Sequence, residues 1–102
     1  MQRTKRINDI LTTQIMPLKL LVENESASHN VPADSESHFK VTAVANKFQQ
    51  LSLIERHRYI NTLLENEFKT GLHALSLHLY TPDEWQRKQG ITLDSPKCKN
   101  KS

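Results

Sequence analysis

Two strand-like runs stand either side of a polar stretch, and this arrangement restricts the fold more than any other feature of the chain. Leu18-Lys-Leu-Leu-Val-Glu23 reads as one strand. Phe39, Val41, Ala43 and Ala45 alternate with Lys40 and Thr42 in another. Between them lies ESASHNVPADSESH, Glu25 to His38, mostly polar, with one proline, no glycine and two of the five histidines. A parallel pair needs a long crossover, usually a helix, and this stretch has no helical periodicity. The two strands are therefore expected to be antiparallel neighbours, the second with one half-buried face.

The rest of the chain supplies helices and a third strand. Ile7, Ile10, Leu11 and Ile15 recur at helical spacing, with Arg3, Lys5, Arg6 and Asp9 off that face, and the helix must end before Pro17. The segment 45–51, centred on Phe48, reads as a short helical turn. Ser52-Leu-Ile-Glu55 has capping-box spacing and opens a long helix whose inner stripe reads Ile54, His57, Ile60, Leu64 and Phe68. Gly71 supplies its stop. His73-Ala-Leu-Ser-Leu-His-Leu-Tyr80 alternates as a third strand. Thr81-Pro-Asp-Glu84 is a second capping box, with Pro at the first helical position and Tyr80 and Trp85 placed to pack as a staple. That last helix is expected to fade near Gly90. The expected order is α-β-β-α-α-β-α: a small α+β domain over 1–88, a three-stranded sheet with helices on one face, then a basic, poorly ordered tail over 89–102.

Composition narrows the chemistry. The 102 residues make one domain. Only two glycines, Gly71 and Gly90, are present, so no glycine-rich phosphate loop or Gly-x-x-Gly RNA clamp can be built. The lone Cys98 excludes an internal disulfide and a cysteine-rich zinc site, and a reducing cytoplasm is its simplest home. No apolar run approaches a membrane span, and the interrupted N-terminal stretch does not read as a signal peptide. The net charge of +3 is accounted for by Lys97, Lys99 and Lys101 in the tail, so the body is balanced. No nucleophile, base and acid fall into a set, and the chain does not read as an enzyme. Taken residue by residue, His78 reads as a surface group, His57 as a partly buried structural one, His38 as a tie for the polar loop and His73 as a strand-end residue.

The run Ser37-His-Phe-Lys-Val41, then Phe48, Arg56-His-Arg58 with Leu63 and Glu67 behind it, His73-Ala-Leu75 and Thr81-Pro-Asp-Glu-Trp85 resembles the BolA family. His29-Asn-Val-Pro32 ahead of Ser35-Glu-Ser-His-Phe39 is similar to its bacterial branch. The resemblance covers 1–88 and implies a fold like a class II KH domain. It implies partnership with a monothiol glutaredoxin and a shared 2Fe-2S cluster, with ligands from the glutaredoxin cysteine, glutathione and the BolA-like chain. Matched residue by residue, the ligands on this chain are His73 and the loop residue His29. It also implies a DNA-binding transcriptional regulator of stress response, cell shape and biofilm formation, whose long helix acts like a helix-turn-helix. Candidate phosphate contacts are Lys47, Arg56 and Arg58, with salt bridges to nearby glutamates as the alternative role of the two arginines, and a homodimer would double the contacts.

Overall fold

The computed structural model describes residues 2–29, 32 and 35–94, without the side chains of His29 and 90–94. Its elements are α1 (Gln2–Ile15), β1 (Lys19–Asn24), β2 (His38–Val44), α2 (Leu53–Leu63), α3 (Glu65–Lys69), β3 (Ala74–Tyr80) and α4 (Pro82–Asp94). Single 3-10 turns span Ser26–His29 and Asn46–Gln50. The sheet order is β1-β2-β3, with β1 antiparallel and β3 parallel to β2. The antiparallel pair follows from the absence of a helix between its strands. The parallel pair is possible because α2 and α3 provide the crossover.

Period-two alternation sorts the strands into two faces. Leu20, Ala43 and Leu79 form one cross-strand row, and Val22, Val41 and Leu77 the next. These rows meet Ile7, Leu11 and Ile15 of α1, Phe48 of the second turn, and Ile60, Leu64 and Leu72 of the crossover. The opposite face carries Leu21, Thr42 and His78 in one row, and His78 is exposed as its alternation requires. The helical layer thus packs on one face. At the sheet's end, Trp85 of α4 reaches Tyr80 and Lys19, which alternate onto the other face.

The long helix departs from its reading. It breaks at Leu64, so that α3 follows α2 after one residue. Its buried positions are Arg56, Ile60, Leu64 and Glu67, whereas His57 is exposed and Ile54 is 59% exposed. The inner stripe is therefore rotated from the one that apolar residues alone mark out. Both of its ends are charged groups that find partners elsewhere in the fold. The last helix also differs: it passes through Gly90 to Asp94, since one glycine costs only about 1 kcal/mol within a helix and the first proline beyond it is Pro96. The remainder of the tail, with Cys98 and its lysines, lies outside the described residues.

A buried arginine in the first turn ties these parts together. Arg3 Nε donates to Glu67 Oε1 at 3.1 Å, Nη1 to the Glu36 carbonyl at 3.3 Å and Nη2 to the Thr70 carbonyl at 2.7 Å. Arg6 closes on the same Glu67 carboxylate with bonds of 2.7 and 2.9 Å. The Glu36 carboxylate accepts the free amides of Arg3 and Thr4, each at 3.1 Å, and the Thr4 hydroxyl at 2.9 Å. It thus caps the N-terminus of α1 from a distant loop, where the helix dipole favours a negative charge. Gly71 is required at this node. Its φ of +131° disfavours any side chain, and a Cβ there would sit 3.0 Å from Arg3 Nη2.

Both carboxylates are held below their ordinary pKa. For Glu67 the hydrogen bonds from Arg6 are the largest cause, and they outweigh burial. For Glu36 burial is the largest single influence and acts upward, but the Arg3 and Thr4 bonds together overcome it. A depressed carboxylate contributes stability that is complete above the unfolded value of 4.5 and is lost as pH falls through the folded value. Acidification from pH 7 to below 4 should therefore lower the urea midpoint more in the parent chain than in Glu36→Gln. Equal pH slopes would contradict the cap. At pH 7, Glu67→Ala should lose about 3 kcal/mol in urea denaturation, because Arg3 is left buried without its partner. Asp9→Ala, which opens the exposed Lys5–Asp9 pair, should cost about 0.5 kcal/mol or less.

Candidate functional site

The strand directions bring the end of β1, the start of β2 and the start of β3 to one rim. Asn24 lies opposite Phe39, and His38 opposite Ala74. The turn that ends in His29 is sewn to this rim by Ser26. Asn24 Oδ1 accepts the Ser26 amide at 3.0 Å, an Asx turn that redirects the chain as it leaves β1. The Ser26 side chain is fully buried, and its Oγ accepts the amides of Ser37 at 3.0 Å and His38 at 3.3 Å. The Glu25 amide donates to the His38 carbonyl at 2.7 Å. On the other side, the Ser37 carbonyl accepts the amides of His73 at 2.8 Å and Ala74 at 3.1 Å. Ser37 and His38 thus form the junction between the turn ending in His29 and the strand that follows His73.

The side chains at this rim are imidazoles. His73 is exposed, and its ring lies beside that of His38, centroids 6.4 Å apart and planes 15° from parallel. His38 Nδ1 is 2.9 Å from Ser37 Oγ, which is 3.1 Å from Ser35 Oγ. An exposed neutral imidazole on a stiff strand end can donate a ring nitrogen to a soft or borderline metal. Among the described residues, no three His, Cys, Asp or Glu side chains gather closely enough to hold an ion. Sequence reasoning gave His38 only a loop-tying role and did not single out Ser26. The parallel register puts His38 next to Ala74, the residue after His73.

The three candidate phosphate contacts separate. Lys47 and Arg58 are exposed, and Lys47 Nζ lies 5.4 Å from the Tyr59 ring centroid. Arg56 does not fit that role. It is 5% exposed, and its guanidinium is used inside the protein. Nε donates to the carbonyls of Phe48 at 3.2 Å and Leu51 at 3.1 Å, and Nη1 to that of Leu79 at 3.3 Å. Nη1 and Nη2 grip the Glu84 carboxylate at 2.7 and 3.1 Å, a two-pronged pair. Glu84 also accepts the Thr81 amide at 2.9 Å, completing the capping box of α4. These Arg56 bonds are the largest cause holding the Glu84 carboxyl below its ordinary pKa. Arg56 therefore clamps α2, the second 3-10 turn, β3 and α4, and is not available to phosphate. The Ser52–Glu55 capping box is present as expected, as is the Tyr80–Trp85 pair at 5.3 Å.

Residues 1–84 match a family model described as BolA-like protein. The chain belongs to the BolA family. It is 46% identical to the DNA-binding transcriptional regulator BolA of Vibrio cholerae, over 86% of this chain and 83% of that one. It is 44% identical to the protein of the same description from Escherichia coli, over 93% and 90%. The BolA domain of SufE1 from Arabidopsis thaliana has the same fold, with a TM-score of 0.78 and 43% identity over 82% of this chain and 96% of that one. The bacterial BolA relatives carry the names of regulators rather than enzymes. Among the described residues, no helix is long and apolar enough to cross a membrane.

Ser26→Ala would take the Ser26 Oγ acceptor from the buried Ser37 amide and from the His38 amide. It should cost about 2 kcal/mol in urea denaturation and speed hydrogen exchange at those two amides more than at Val41 in mid-strand. Uniform exchange changes along β2 would refute this account of how the turn is held.

Proposed function

We propose that this BolA-family chain is a DNA-binding transcriptional regulator, acting in stress response, cell shape and biofilm formation. The observation that carries the reading is its identity of 46% and 44% to two bacterial relatives named as such regulators. The geometry supports it in a revised form. With Arg56 committed to Glu84, the exposed Lys47 and Arg58 remain as phosphate contacts around α2. Binding of promoter fragments, followed by fluorescence anisotropy across salt concentrations, tests it. Arg58→Ala should weaken binding and flatten the salt dependence by about one counterion. Arg56→Lys should act on stability instead. A shallow, sequence-independent salt response in the parent chain would sink the regulator reading and leave an iron–sulfur adaptor without specific DNA binding.

The exposed ring of His73 favours a second, compatible reading. The chain pairs with a monothiol glutaredoxin, and the two share a 2Fe-2S cluster. His73 and His29 would supply imidazole nitrogens, and the glutaredoxin cysteine and glutathione the remaining ligands. Imidazole in place of thiolate raises the potential of such a cluster. Support comes from the hydrogen bonds that tie both the turn ending in His29 and the amide of His73 to Ser37 and His38. Co-expression with the glutaredoxin should yield a coloured complex, and His73→Ala should lose both the cluster absorbance and most of the partner affinity. Unchanged spectra and affinity would refute the ligand assignment.

A further inference from the structure

We infer that the end of the sheet opposite the histidine rim is a stacking surface for unpaired nucleobases. This deepens the DNA-binding reading and rests on it for the class of ligand. The start of β1 and the ends of β2 and β3 meet there. Three lysines lie over three aromatic rings: Lys19 Nζ is 5.8 Å from the centroid of Trp85, Lys88 5.9 Å from Tyr80 and Lys47 5.4 Å from Tyr59. The lysines are exposed and the rings half-buried, so each aromatic face is within reach of solvent. All three pairs lie toward this end of the domain, those of Trp85 and Tyr80 on the open face of the sheet and that of Tyr59 on α2 in the helical layer.

Charge decides what such a surface takes. A cleft of about 380 Å³ runs beside Tyr80, lined also by Leu53, Leu79, Glu84, Arg87 and Lys88. Its carboxylate is already committed: Glu84 holds Arg56 and the Thr81 amide. Glu55 nearby is likewise bound to the Ser52 amide. Asp83 is the exposed carboxylate in the first turn of α4, against Lys19, Lys47, Lys88 and Arg87. The complement is a polyanion that also has flat apolar groups, which describes a nucleic acid strand with its bases unstacked. A base can take the aromatic face while the lysine it displaces moves to the adjoining phosphate. Base–aromatic stacking outweighs an exposed cation–π contact, so the exchange is downhill. Paired bases in a duplex offer no free face to these rings.

Trp85 is the chain's only tryptophan, so its fluorescence reports on the surface directly. The full chain is titrated at low salt with oligothymidylate of about 12 nucleotides, within the usual range of single-strand sites. Trp85 emission should be quenched. Lys47→Glu, whose lysine lies over Tyr59 rather than Trp85, should weaken the titration about tenfold, and Lys5→Glu on α1 should leave it unchanged. The same strand annealed to its complement should quench far less, and polyphosphate, which has the charge without the bases, not at all. Absence of quenching by the single strand, or equal quenching by duplex or polyphosphate, overturns the stacking surface. Promoter duplex binding, together with no Trp85 response to the single strand, would overturn it while leaving the regulator reading intact.

Discussion

The guanidinium of Arg3 is the contact on which the rest of the structure leans. It sits in the first turn of the first helix, yet it bonds the carbonyls of Glu36 and Thr70 and the carboxylate of Glu67. Glu36 is two residues before His38, and Thr70 is three before His73. One buried cation thus fixes, from behind, both segments that deliver imidazoles to the rim. A buried charge is costly unless every polar group around it is satisfied. Here the Glu67 carboxylate and the Glu36 and Thr70 carbonyls meet Arg3 Nε, Nη1 and Nη2, and the cost of losing them favours this geometry. The positive φ of Gly71 and the cap that Glu36 places on α1 are parts of that solution.

A second buried arginine does comparable work at the other end. Arg56 joins α2 to the end of β3 and to the first turn of α4 through Glu84. It holds in place the elements around which Lys47, Arg58 and the lysine–aromatic pairs are displayed. The two ends of the sheet are separated by the length of a seven-residue strand, about 20 Å. A partner protein at the rim and a nucleic acid at the opposite end would therefore not compete for the same atoms.

The fold was largely legible from local signals. The capping boxes Ser52–Glu55 and Thr81–Glu84 are sealed by residues three apart, so spacing alone locates them. The alternation in β3 and the missing crossover before β2 define which strands can pair and in which sense. The site was less legible. His57 followed the apolar spacing of Ile60 and Leu64, but the true inner face runs from Arg56 to Glu67, and a hydropathy pattern assigns charged residues to the outside. Ser26 gave no signal, since a buried serine in a polar loop looks like any other loop serine until its amide partners are in place.

What the sequence determined by itself was the set of elements, their order, the antiparallel pairing of the first two strands and the family motifs. These rest on interactions spanning a few residues, whose physics does not depend on where the rest of the chain goes. Only the tertiary structure decided that Arg56 is a clamp rather than a phosphate contact, that Glu67 faces inward, and that His38 lies beside His73. Each of those outcomes depends on a partner far along the chain: Glu84 at a separation of 28 residues for Arg56, Arg3 at 64 for Glu67. A charge goes inside only where folding brings it an opposite one, and no local pattern records that meeting.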